Sequence, residues 1–522
     1  MAATTMRPRP PTPRGASNVS ALLLLGTLAA VAPPAAVEAG RADRGLAEVA
    51  VVAEDSATLR NAPRGDAPAQ ATLWRGDWLE VRGERAGFVQ VYDHRHERPG
   101  YVRPTQVRGY RVEAASAPEL GAIVRFLRDA SGSESLGIGY AALALKVAPA
   151  GTDPTELYAA IGTMADRLAR RISARRADAK DATLVAHREV AESYGIKFKV
   201  VEGDALGGRG MTCYDGEAWE GVLAASAAPP VERARAALFL AAERCRDAVP
   251  VPADERARND RRIAALQAID FPAERALPAS LAGRVRLRRA EAFAWRAFDE
   301  ARQGNADAAA RAEATAVREL ALCDRGVLAQ DDLDLSEEVA VKVAASRWAT
   351  EAPPRDAGRR AIAVDFAPRA PGETCVQVRQ ANANDGRVLA QRCSYGIVWK
   401  SALRFAPSGT VATLAVQPLA AWTELWVLRR GDDGAWTIDT LTPATADPDA
   451  TPGYVESAGF SPDGKRLLVV REAHAGGRAT RKFQVLATRT LAVERWSPSA
   501  DKLGAFKRWS APSWRAGTLV LR

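Results

Sequence analysis

Four histidines, four methionines and five cysteines in 522 residues leave little material for metal or redox chemistry. No Gly-x-Ser-x-Gly elbow, no phosphate loop ending in Gly-Lys-Ser/Thr, no His-Glu-x-x-His and no Cys-x-x-Cys occurs. The common hydrolase, nucleotide-binding, zinc-protease and thiol-redox signatures are therefore missing, and no cofactor is expected. Long apolar runs are missing as well once residue 32 is passed, so no later stretch reads as a membrane helix. Basic runs are absent although the formal net charge is +9. Scattered arginines lack the clustered footprint of nucleic-acid binding. What remains, 47% hydrophobic and 26% charged, is the composition of a globular chain long enough for several cores.

The first 39 residues carry an address. Arg7, Arg9 and Arg14 precede an apolar core, Ala21–Ala32, and Val37-Glu38-Ala39 offers a small-x-small cleavage site. That order predicts a Sec-type signal peptide over 1–39, hence a periplasmic or secreted protein with no stable membrane span after cleavage. An uncleaved anchor is the other reading. The apolar core is about a dozen residues, short for ~30 Å of hydrocarbon. No Cys follows it and no Arg pair precedes it, so neither a lipoprotein anchor nor a twin-arginine route is indicated.

Few as they are, the cysteines suit an oxidising compartment. Cys375 and Cys393 flank a hairpin whose turn is Asn384-Asp385-Gly386, and Cys213 and Cys245 form a second candidate pair. Cys323 is then left over and buried; Cys245–Cys323 is the alternative.

Residues 46–112 hold short β-rich runs punctuated by Gly, Pro and Asp, the pattern of a small closed barrel. Thr58-Leu59-Arg60 with Pro63, the Gly76-Asp77 turn and the Gly100-Tyr101-Val102 close resemble the bacterial SH3 (SH3b) family of exported envelope proteins. It departs at Thr58, where the family often has Asn, and at Phe88, where it often has Trp. The resemblance implies a binding role, toward cell-wall peptides, other peptides or a neighbouring domain, rather than catalysis. Period-two alternation points Leu79, Val81, Val89, Val91 and Val102 inward and Trp78, Phe88, Tyr92 and Tyr101 outward. The outward aromatics form either a peptide groove or a face covered by the helices that follow. Between the last two runs lies Asp93-His94-Arg95-His96-Glu97, a polar tip in which His94 and His96 are the candidate metal ligands.

Residues 117–350 read as an α-helical domain. Asp153-Pro154 with Glu156 starts a helix that carries Leu157, Ile161, Met164 and Leu168 on one face. Further helices fit 184–194, 231–247, 254–269, 284–303, 306–323 and 336–349, and 195–201 reads as an isolated strand or extended edge. Gly137-Ile138-Gly139-Tyr140-Ala141-Ala142 matches a loose dinucleotide fingerprint, but no parallel strand–helix–strand unit surrounds it. Cys213 as a nucleophile would call on His187, the nearest histidine in sequence. The acids Asp331, Asp332, Asp334, Glu337 and Glu338 suit a helix start better than a calcium loop.

After a Pro-rich linker at 351–360, residues 361–522 return to β signals and carry an internal repeat. Phe405-Ala406-Pro407-Ser408-Gly409 and Phe460-Ser461-Pro462-Asp463-Gly464 each precede apolar strands. Phe366-Ala367-Pro368 with Gly372 is a degraded copy, and Trp509–Leu521 reads as a remnant of a fourth. The turns resemble those of TolB-like and WD40-type β-propellers, which implies about three blades where closed propellers use roughly four to eight.

The expected architecture is multidomain α+β: an SH3-like barrel, a central α-helical domain and about three propeller-like blades. The expected function is that of an exported, non-catalytic envelope protein binding a peptide, a cell-wall component or another envelope protein. The alternatives are a cell-wall hydrolase with the barrel as targeting module, whose scattered carboxylate pair spacing would not reveal, and a metal-responsive envelope protein using His94 and His96.

Overall fold

The computed structural model describes residues 48–175, 182–201, 211–242, 252–351, 361–381, 387–431, 433–444, 453–475 and 478–517. The expected signal segment, Cys245, most of the linker and the Asn384-Asp385-Gly386 turn lie outside the described residues. The chain is a mixed α+β protein with several antiparallel sheets.

Seven strands open it: β1 (Val49–Val52), β2 (Ala57–Arg60), β3 (Ala69–Leu73), β4 (Trp78–Arg85), β5 (Phe88–Asp93), β6 (Arg98–Val102) and β7 (Val107–Tyr110). They form one antiparallel sheet in the order β3-β2-β6-β5-β4-β1-β7. Every strand sends aliphatic side chains into a single cluster that includes Val52, Leu59, Leu73, Leu79, Val91, Val102 and Val107. Alternation thus falls on the predicted faces, with Val81 packed at the margin of the cluster. The expected closed barrel is corrected in one respect: β3 and β7, the two ends of the sheet, do not pair. Closure would need a strand partner for β7, but its Tyr110 packs edge-on against Tyr140 of the helical block instead.

The helical region packs around three apolar clusters. The Asp153-Pro154 start gives the helix Thr155–Arg175, and Ile161, Met164 and Leu168 are buried as predicted. The helices Ala279–Arg302 and Ala306–Ala321 pack as a pair and are joined by Gln330–Ser346, which opens on Asp331 and Asp332. The predicted extended segment is the strand Phe198–Val201, paired with Met211–Tyr214. Gly137 and Gly139 lie inside the helix Glu134–Val147, against Met164 and Gly76, so tight packing accounts for the glycine fingerprint. Two buried carboxylates are paired with cations. Glu134 bridges Arg167 and Arg171, and Glu291 meets Arg262, Arg288 and Lys342. Burial opposes ionisation of Glu291, but its three cations outweigh that and hold its pKa well below the usual carboxylate range.

The first sheet is fastened to these helices at the Gly76-Asp77 turn. Tyr194 Oη donates to Gly76 O at 2.5 Å, Ser135 Oγ to Arg75 O at 2.7 Å, and His187 Nε2 lies 2.7 Å from Asp55 Oδ1. Gly76 has φ +97°, and a Cβ there would lie 2.5 Å from Ser135 O, so both conformation and contact require glycine.

The last region stacks in three layers, a separate three-stranded sheet and the two four-stranded halves of one eight-stranded sheet, each called a sheet below. The first comprises Ile362–Pro368, Thr374–Gln380 and Val388–Ser394, and the second Ile397–Phe405, Ala412–Leu419, Trp422–Arg430 and Trp436–Leu441. The third comprises Gly453–Phe460, Arg466–Ala475, Arg478–Ala487 and Val493–Ser497, and a parallel bridge at Trp422–Gly453 joins it to the second. Val376 and Val378 of the first sheet pack on Leu414 and Leu428 of the second. The opposite face of the second, through Leu425 and Val427, packs on Val455 and Leu467 of the third.

Both repeat turns have the same bonds. In one, Ala406 N donates to Val411 O and Gly409 N to Ala406 O, both at 2.8 Å; in the other, Ser461 N donates to Arg466 O and Gly464 N to Ser461 O, both at 2.9 Å. Their glycines share a left-handed φ, +67° and +69°. Trp509–Leu521 is corrected: instead of a fourth strand set, the described part is helical, over Gly504–Trp509 and Pro512–Gly517. These helices lay Phe506, Trp509 and Trp514 over Leu468, Val470 and Phe483 of the third sheet. The outer face of the Ile362–Ser394 sheet is polar, with Arg379 paired to Asp365 and Gln377 bonded to Gln391. Among the described residues, helices cap one end of the stack and polar side chains face outward at the other.

Candidate functional site

The residues singled out from the sequence are divided by the helices. Trp78 turns away from the sheet's interior and joins Val49, Val51 and Tyr110 against the helical core, with Lys146 Nζ 4.3 Å from its ring centre. That half of the outer face is covered. Phe88, Tyr92 and Tyr101 lie on the same face farther along and are each half-buried. Register explains the grouping: Tyr101 pairs with Gln90, which separates Phe88 from Tyr92 on β5. Tyr92 is flanked by Arg82, its guanidinium 4.2 Å from the ring centre, and by His94, edge-on at 4.9 Å. Glu80, opposite Tyr92, accepts from Arg82 Nε at 3.0 Å and lies 2.9 Å from His94 Nε2. The Arg82 hydrogen bond, assisted by His94, holds the Glu80 carboxyl below its usual pKa. The open half therefore offers aromatic rings beside a carboxylate and a guanidinium.

His94 and His96 do not converge. His96 Nδ1 meets the buried Asp93 at 2.5 Å, while His94 meets Glu80. Among the described residues, no group of three or more His, Cys, Asp or Glu is placed to hold a metal ion. His187 does not serve Cys213; it is buried against Asp55. Cys213 is in a disulfide, and its predicted partner Cys245 lies outside the described residues. Cys375 and Cys393, directly opposite in adjacent strands, form the predicted bridge. Cys323 is buried and free, which removes the Cys245–Cys323 alternative.

Sequence reasoning missed a cleft of about 260 Å³ where the last helical turn meets the second and third sheets. Arg347 and Trp348 enter from the helical side, where Ser401 Oγ donates to Trp348 O at 2.7 Å. Arg347 forms an ion pair with the fully buried Glu456, whose other oxygen accepts from Trp514 Nε1 at 2.6 Å. Burial raises the pKa of Glu456 in spite of Arg347 beside it. At the rim Arg404 pairs with Glu351. The signal that was present is in the repeat: Phe405, Pro407 and Phe460, all from the two turn motifs, line this one cleft.

The described helices include none long and apolar enough to cross a membrane. Comparison with models of known families and with curated proteins finds no match. Among solved structures, the S-layer protein rSbsC(31-844) is similar over 72% of this chain and 58% of its own, at 13% identity and a TM-score of 0.14. A likeness that distant carries no argument about fold or function.

Proposed function

We propose that this chain is an exported, non-catalytic envelope protein whose first sheet, an SH3-like module, binds an extended peptide or peptide-bearing wall component. The supporting observation is the division of the outer face. Helices occupy the Trp78 half, while Phe88, Tyr92 and Tyr101 are left half-buried on the other, beside Glu80 and Arg82. Half-buried aromatics on a rigid sheet suit an extended peptide, because rings supply contact area and the flanking charges set direction. In this reading the C-terminal sheets are three propeller-type blades used as a scaffold, and export agrees with the Cys375–Cys393 disulfide. Co-sedimentation with purified sacculi tests it. Wild-type chain pellets, and the Tyr92→Ala/Tyr101→Ala double variant stays in the supernatant while keeping its thermal transition. Equal pelleting of the two refutes the assignment of the face.

A further inference from the structure

The open half of the first sheet's outer face carries more positive charge than the protein itself answers. Strand register gives the layout, because residues directly opposite one another share a face. Arg60 is opposite Tyr101, Tyr101 is opposite Gln90, and Arg85 is opposite Phe88. Arg103 follows the buried Val102 and so falls on the outward side, two residues beyond Tyr101. Arg82 covers the ring of Tyr92. The half-buried rings of Phe88, Tyr92 and Tyr101 are thus framed by arginines. Carboxylates do not balance them. Glu80 already meets both Arg82 and His94. Glu84 is opposite Val89, which is directed inward, and Asp66 meets Arg64. Among the described residues, Arg60, Arg85 and Arg103 form no ion pair. Arg60 Nη1 donates to Ala67 O at 2.6 Å, which orients the guanidinium without neutralising it. Arg85 and Arg103 are exposed and Arg60 is half-buried, so a ligand lying on the rings can reach all three.

We propose that this face selects an acidic extended peptide, with its carboxylates on Arg60, Arg85 and Arg103 and its intervening residues over the rings. The inference rests on the peptide-binding reading above and names the class of peptide. Spacing supports it. The row holding Arg60 and Tyr101 and the position of Arg103 are two residues apart along a strand, about 6.7 Å. An extended peptide repeats its side chains at that same interval, so acids at alternate positions meet both. Guanidinium and carboxylate match as planar, two-pronged partners. The same arginines repel a basic peptide, which gives selection against the wrong ligand as well as for the right one. An exposed ion pair changes binding by about two- to fivefold, so three together give on the order of tenfold selectivity.

Fluorescence anisotropy on the full chain tests it, with labelled heptapeptides that alternate alanine with glutamate, glutamine or lysine. The glutamate peptide is expected to bind at least tenfold more tightly than its glutamine isostere, and the lysine peptide most weakly. The advantage should shrink as salt is raised, since the cations are at the surface. Arg85→Gln/Arg103→Gln should reduce it at least threefold while leaving the glutamine peptide's affinity and the thermal transition unchanged. Arg85→Glu/Arg103→Glu should erase it. Tripolyphosphate, an anion without a peptide, should bind at least tenfold more weakly than the glutamate peptide. Equal affinity for the glutamate and glutamine peptides, both lost in Tyr92→Ala/Tyr101→Ala, overturns the inference and leaves the peptide-binding reading standing. Tripolyphosphate binding as tightly as the glutamate peptide, or an unchanged preference in the glutamate variant, overturns it as well. If none of the peptides binds, the inference falls, and sacculus pelleting decides the peptide-binding reading separately.

Discussion

Glu313 provides the sharpest energetic prediction. It lies on the helix Ala306–Ala321 with no exposed surface, and Ser346 Oγ donates to its Oε2 at 2.5 Å. Burial pushes its carboxyl up to about 8, against the opposing pull of Ser346 and of the Arg347 guanidinium. In the unfolded chain it titrates near 4.5. Below that value both states hold the proton and the group places no penalty on folding. As pH rises toward about 8 the unfolded state ionises and the folded state does not, so stability falls through that window. Between pH 4.5 and pH 7 the loss is about 3 kcal/mol, at ~1.4 kcal/mol per pH unit. Glu313→Gln keeps the shape and cannot titrate. Its stability relative to wild type should therefore rise by about 3 kcal/mol between those two pH values, while a pH-independent cost of ~1 kcal/mol for an unpaired amide lowers the variant equally at both. Urea unfolding of both proteins across that range, followed by far-ultraviolet circular dichroism, measures the difference. Parallel pH profiles would refute the reasoning, because they would mean that the carboxyl ionises in the folded protein as readily as in the unfolded one.

Other expectations rest on local geometry. Gly76→Ala should destabilise the seam between the first sheet and the helices by at least ~2 kcal/mol, from the left-handed φ and the clash with Ser135 O, seen as a lower thermal midpoint. Asp463→Ala should lower the thermal midpoint, since Asp463 Oδ1 accepts from Ser461 Oγ and Lys465 N in the second repeat turn; the exposed site excludes a packing explanation. Cys375→Ser/Cys393→Ser should lower stability by roughly 3 kcal/mol for a bridge closing 18 residues, and denaturant titration without reductant reads it.

How much was legible in the sequence differs by element for physical reasons. The inward set of the first sheet could be read because one buried face forces period two, and a one-residue slip would have put Val89 and Val91 in water. The helix starting after Asp153 could be read from its cap and its apolar stripe. The repeat turns could be read because their glycines must take a left-handed φ. Closure of the first sheet could not be read, since alternation says which way side chains point and nothing about which edges pair. Trp509–Leu521 misled because a short segment rich in aromatics fits a strand or a covering helix equally. The cleft was hidden because Arg347, Phe405, Ser457 and Trp514 come from four distant segments. Arg347 at a helix end looks like any surface arginine until Glu456 is found beside it.

The central claim, that the open half of the first sheet's outer face is the binding surface, is tested most directly by hydrogen exchange on the full chain with and without wall-derived peptide fragments. The account predicts slowed exchange over Phe88–Val102, with the covered half around Val49, Val51, Trp78 and Tyr110 and the C-terminal sheets unchanged. Protection confined to the C-terminal sheets, or none anywhere at saturating fragment, would contradict it.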